Sequence, residues 1–141
     1  MDLQELSDRA EITDVLVRYT RAIDTGAWDR LDTVFTPDAR IDYTASGGID
    51  ATYPEIKAWL AEVLPAFFPL RMHTLGQVEI ALDGDGAEVA AYFHNPMPMD
   101  DGQGGTKLVE FGGLYHHTMT RTPDGWRSVR LREEVVWKQN L

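Results

Sequence analysis

The hydrophobic period of this chain changes once. Apolar residues recur at helical spacing over the first half and alternate over the second, where glycine turns punctuate them. A chain built in that order packs helices against a later antiparallel meander, so the pattern predicts the α+β class. Ile12, Val15, Leu16, Tyr19, Ala22 and Ile23 form the stripe of a helix from Leu3 to Asp24, stopped by Gly26. Trp28, Leu31, Val34 and Phe35 share a face of a short second helix, which Pro37 ends. Ala39, Ile41 and Tyr43 are expected on one face of a strand, with Asp42 opposite, solvated or paired with an arginine. Ser46-Gly47-Gly48 is a turn. A third helix starts near Pro54, presents Ile56, Trp59, Leu60, Val63 and Leu64, and is closed by Pro65 and Pro69.

The second half reads as two hairpins. Arg71–Leu82 alternates with Met72, Val78, Ile80 and Leu82 on one side, and Gly76 is a candidate bulge. The turn Asp83-Gly84-Asp85-Gly86 leads to a return strand, Ala87–Asn95. Residues 96–105 have no regular pattern and read either as a mobile lid or as a plain connection. Lys107–Thr120 and Trp126–Trp137 form the last hairpin around Pro123-Asp124-Gly125.

One domain spanning residues 1–141 is expected, since 141 residues bury roughly 68–70% of the unfolded surface. The net charge of −10 disfavours nucleic acid and anionic membrane surfaces. No apolar run approaches the ~18 residues of a membrane span, and the polar start is not expected to act as a secretory signal. A cytoplasmic setting is the simplest expectation. The absence of cysteine removes disulfides, thiolate nucleophiles and Cys-ligated zinc.

Few polar residues invite chemistry. Asp24 sits in the last turn of its helix, where the dipole disfavours a carboxylate by about 0.3–1 kcal/mol when exposed. It reads as a solvated turn residue or as half of a pair. Histidine is the side chain suited to acid/base work near neutrality, and a carboxylate beside His73 would tune it as acid or base. Tyr43 is expected to be buried or pocket-facing, with a partner for its hydroxyl. His116 and His117 are adjacent in a strand, so at most one faces a pocket. His94 and Glu110 carry no telling spacing. No metalloprotease helix, phosphate loop or nucleophile elbow is present.

Tyr19–Tyr43, and the closing stretches Gly113-Leu114-Tyr115-His116-His117 and Asp124-Gly125-Trp126-Arg127, resemble the SnoaL-like branch of the nuclear-transport-factor-2-like superfamily. The resemblance spans essentially the whole chain. It implies a strongly curved sheet wrapped around about three helices, a cone with a deep pocket. That superfamily hosts lyases, isomerases, cyclases and binding proteins. Scytalone dehydratase is the nearest functional pattern. Its aspartate falls on Asp24, its pairing histidine on His73 within Met72-His73-Thr74, and a tyrosine on Tyr43 within Arg40-Ile41-Asp42-Tyr43. Its second tyrosine falls on Ile23, its second histidine near Met99, its serine near Leu114 and its asparagine near His116. Ketosteroid isomerase is also similar, with its oxyanion-binding tyrosine on Tyr19. Its base aspartate, however, falls on Tyr43, which counts against that chemistry.

The resemblance therefore implies catalytic Asp24, His73 and Tyr43, with a substrate-binding shell of His116, Tyr19, Ile23, Met99 and Leu114. It implies a cofactor-independent lyase or isomerase on a small, largely apolar cyclic or carbonyl compound, with no metal. The alternatives are a non-catalytic binding protein and a small subunit of a dioxygenase-like complex. A homo-oligomer is expected.

Overall fold

A computed structural model describes residues Met1–Leu141. Helix α1, Leu3–Thr25, starts where the Asp2 carboxylate accepts the Glu5 amide at 2.8 Å. It ends at Gly26, whose φ of 69° is the left-handed value that glycine adopts without strain. The whole expected stripe from Ile12 to Ile23 is buried.

The second helix is only a 3₁₀ turn, Trp28–Thr33, and Phe35 already belongs to strand β1, Phe35–Asp42. Pro37 therefore ends no helix. It sits where the pairing of β1 with the last strand is irregular, between Phe35 and Arg40, so its missing N–H costs no ladder bond. After the Thr44–Ser46 turn, a three-residue strand β2, Asp50–Thr52, pairs antiparallel with β1. Helix α2, Tyr53–Phe67, runs two residues past Pro65. A proline this close to the end removes one bond of the last turn, and Phe68 N still donates to Leu64 O at 2.7 Å.

The remaining strands are β3 (Thr74–Asp83), β4 (Gly86–Asp100), β5 (Thr106–Thr122) and β6 (Gly125–Gln139). The sheet order is β2-β1-β6-β5-β4-β3, antiparallel except for the parallel β1–β6 pair. The meander thus carries a crossover from the helical half. Met72 lies before β3 and is exposed rather than sharing a face with Val78, and the expected bulge falls between Leu75 and Val78.

The reading of residues 96–105 as an irregular segment is corrected. β4 continues to Asp100, paired in register with β5 from Pro96↔Glu110 to Asp100↔Thr106. β3 begins opposite His94, so beyond that point β4 has a partner on one side only, and alternate prolines are tolerated there. Met97 is buried, and only residues 101–105 form the turn. No lid is built from this segment.

On β5 the Gly112-Gly113 pair marks a shift in pairing with β6. A Cβ on Gly113 would lie 1.9 Å from the Glu134 carbonyl oxygen, so the strands approach too closely there for any other residue. The bend folds the sheet over α1 and α2, and one continuous apolar cluster joins both helices to its inner face.

Candidate active site

A cavity of about 180 Å³ opens between α1, α2 and the inner face of the sheet, lined mostly by apolar side chains. At about 10–15 Å³ per water-sized occupant, it has room for on the order of a dozen non-hydrogen atoms. Tyr19, Ile23, Trp59, Phe111 and Met97 contribute to its apolar wall.

His73 lines the cavity, and Asp24 holds it from outside the lining. The Asp24 Oδ2 accepts the His73 backbone N–H at 2.8 Å, and Oδ1 lies 2.5 Å from the His73 ring Nδ1. The carboxylate therefore fixes the residue twice, through its backbone and its ring. Asp24 can do this because α1 ends at Gly26, and the chain before β3 passes beside that end. Arg71 anchors the crossing by donating from Nε to Ile23 O at 2.9 Å and from Nη1 to Phe68 O at 2.9 Å.

Burial of Asp24 favours its neutral form. The hydrogen bonds and charge of His73, with the nearby Arg71 charge, outweigh this and hold the carboxyl below its ordinary range. An ionised carboxylate only accepts, so Nδ1 carries the proton and the neutral ring is left with a bare Nε2. The His73 side chain lines the cavity, and Nε2 has no protein partner.

Tyr43 lines the same cavity as His73. Its hydroxyl and that of Tyr19 hydrogen-bond each other in the interior. Burial raises both phenols well above their usual pKa, so both stay protonated donors. One proton serves the shared bond, and the other is free for a ligand. Tyr115 adds a third phenol, accepting from Asn95 Nδ2 at 3.2 Å and so keeping its own O–H to donate.

Of the residues expected in the binding shell, Tyr19 and Ile23 line the cavity and His116, Leu114 and Met99 do not. Strand parity explains the first two. Odd positions of β5 point inward, so His117 and Tyr115 are buried, while His116 turns outward and meets Glu134 Oε1 at 2.7 Å. Met99 lies beyond the rim, in a separate depression with Phe67 and Leu70. His117 is inside yet outside the cavity lining. Its Nδ1 donates to Ser128 Oγ at 2.8 Å, because that hydroxyl already donates to Arg130 O. On the outer face, His94 meets Glu110 at 3.0 Å.

Two lining residues were not singled out from the sequence. Asn95 on β4 and Glu133 on β6 are both buried, and Asn95 Oδ1 and Glu133 Oε1 each lack a hydrogen-bond partner. Both sit on the apolar phase of an alternating strand, next to Phe93 and Met97 or Leu131 and Val135, and that is a readable signal. No group of three or more His, Asp or Glu side chains converges as a metal cluster. No helix is long and apolar enough to cross a membrane.

The model of the SnoaL-like domain matches residues 4–132. An uncharacterized protein of Mycobacterium tuberculosis is 48% identical over 100% of this chain and 94% of its own length. A protein of Gibberella zeae named as a probable cyclase is 30% identical over 86% of this chain and 87% of its own. Among solved structures, the hexachlorocyclohexane dehydrochlorinase LinA-type3 of Novosphingobium barchaimii superposes with a TM-score of 0.85 at 18% identity, covering 100% of this chain and 94% of that one. The cone, its pocket and these matches agree, and the chain belongs to the SnoaL-like domain family.

Proposed function

We propose that this protein is a cofactor-independent lyase or isomerase of small, largely apolar cyclic or carbonyl compounds. The observation that carries this reading is His73, which lines an apolar cavity, is held by Asp24 at ring and backbone, and keeps its other ring nitrogen without a protein partner. His73 Nε2 takes a proton from a carbon beside a carbonyl. Asp24 fixes the ring and stabilises the imidazolium that results. Tyr43, backed by Tyr19, donates a hydrogen bond to the oxygen on which negative charge develops. In the lyase direction the electron pair forms a double bond as a leaving group departs. In the isomerase direction the proton returns to another carbon. The 30% identical relative is named as a probable cyclase, which supports a catalytic reading over a purely binding one.

General base catalysis contributes about 10²–10⁴-fold, so removing the base is a measurable loss. The test is elimination of 5-nitrobenzisoxazole, an activated carbon acid of cavity size whose phenolate product is coloured. The wild-type protein accelerates it over buffer, and His73→Gln removes most of that acceleration without lowering Tm. Equal rates for wild type and buffer would sink the reading and favour a cone that only binds its ligand.

A further inference from the structure

Glu133 is a carboxyl in the wrong place for a structural residue. It faces inward from β6, is 7% exposed, lines the same cavity as His73, and leaves Oε1 without a partner. An unpaired buried carboxyl oxygen costs stability, and no arginine or lysine offsets it. The groups facing it are Tyr19 from α1, Tyr43 and Asp42 from the end of β1, Ser46 from the following turn, and Tyr115 from β5. None is a cation. His73 approaches from the segment before β3, with β4 and β5 between the two in the sheet. The cavity thus has an acid/base group on each of two separate walls.

We propose that Glu133 is the general acid of the site, protonating the leaving oxygen while His73 takes the carbon-bound proton. This assignment rests on the base reading above and adds the second half of the reaction. In dehydration of a β-hydroxy carbonyl compound, the Cα–H bond breaks and its proton goes to His73 Nε2. The bonding pair forms the Cα=Cβ bond, and the Cβ–O bond breaks. The departing hydroxyl takes the Glu133 proton and leaves as water. Exchange with solvent then returns one proton to Glu133 and removes one from His73. Burial, opposed by the Ser46 hydroxyl and reinforced by the Asp42 charge, pushes the Glu133 carboxyl up to about 7, where it still carries a proton near neutrality.

Two benzisoxazole probes separate the roles. With either, the carbon-bound proton goes to His73, its pair completes the nitrile, the N–O bond breaks and the oxygen becomes a phenoxide. The 5-nitro phenoxide leaves without help. The unsubstituted one is more basic and gains from a donor. Glu133→Gln is expected to lower kcat/KM by roughly 10²-fold more on the unsubstituted probe than on the 5-nitro one. The wild-type rate on the unsubstituted probe should also fall above pH 7, and the variant's should not. Equal effects of Glu133→Gln on both probes, or none on either, would overturn the assignment while leaving His73 as base. Failure of the wild type to accelerate either probe would overturn both.

Discussion

Helix α1 carries an aspartate near each end, Asp8 buried and Asp24 half-buried, and they do opposite things. Asp8 is saturated. Its two oxygens accept from Arg121 Nη1 at 2.7 Å and Nη2 at 2.9 Å, from Trp126 Nε1 at 3.1 Å and from Gln4 Nε2 at 3.0 Å. Arg121 is itself tied to Asp85 and lies 4.7 Å over the Trp126 ring. The Arg121 hydrogen bonds, against the cost of burial, hold the Asp8 carboxyl far below its ordinary range. This end fastens the start of α1 to the β5–β6 hairpin and leaves no group free. Asp24 binds one residue, a histidine that lines the cavity and whose second ring nitrogen has no protein partner. A carboxylate paired with a fixed cation builds structure. A carboxylate paired with a titratable ring that opens onto a cavity builds a poised base.

The largest expected effect falls at the poised end. Asp24→Asn keeps the shape but loses the charge that fixes the His73 tautomer, and elimination of 5-nitrobenzisoxazole should drop by roughly 10²–10⁴-fold with little change in Tm. A full-rate variant would erase the contrast between the two ends.

The saturated end should answer in stability. Asp8→Asn removes the charge opposite Arg121 and replaces the acceptor of its Nη2 with a donor, and Tm should fall by roughly 10–15 °C while the rate per folded molecule at 25 °C is unchanged. A rate loss without a thermal shift would mean that this end is coupled to the cavity.

Glu133 sharpens the comparison through pH. Its folded pKa of about 7 lies above the ordinary 4.5, so the folded state prefers the protonated form. The protein therefore pays no penalty below pH 4.5, and a penalty grows as pH rises through 7. Glu133→Gln should stabilise the fold at pH 8 by up to about 3 kcal/mol, and the gain should vanish near pH 4, as read by urea denaturation. Equal gains at both pH values would show that the penalty is not ionisation.

His117 should give the smallest change at neutral pH. Burial, with the His116 charge adding to it, pushes its pKa down from 6.5 to about 3, so folding excludes a proton that the unfolded chain accepts. Stability from this group is complete above pH 6.5 and is lost as pH falls toward 3. His117→Leu should shift stability by less than about 1 kcal/mol at pH 7.5, yet flatten the acid loss between pH 6.5 and 3.

The helical stripe of α1, the Gly26 stop and the Asp83–Gly86 and Pro123–Gly125 turns were legible because each is a local rule of period or backbone freedom. The course of β4 was hidden, because Pro96 and Pro98 look like strand breakers until one knows that β3 begins at Thr74 and leaves their side open. β2 was hidden by its length, since three residues carry no period. At the site, the resemblance pointed to Asp24, His73 and Tyr43 as a set. His73 and Tyr43 line one cavity, and the hold of Asp24 on His73 rests on a chain crossing 49 residues apart in sequence.

By itself the sequence determined the class of fold and the order of its elements, because hydrophobic period and turn chemistry act over a few residues. It also determined a short set of polar candidates. Only the tertiary structure decided which of them meet. Strand parity, the β5 bend and the pairing of β1 with β6 turn His116 and Leu114 outward and bring Glu133 and Asn95 in. A side chain's facing depends on pairing register, and register is set by contacts between segments far apart in the chain.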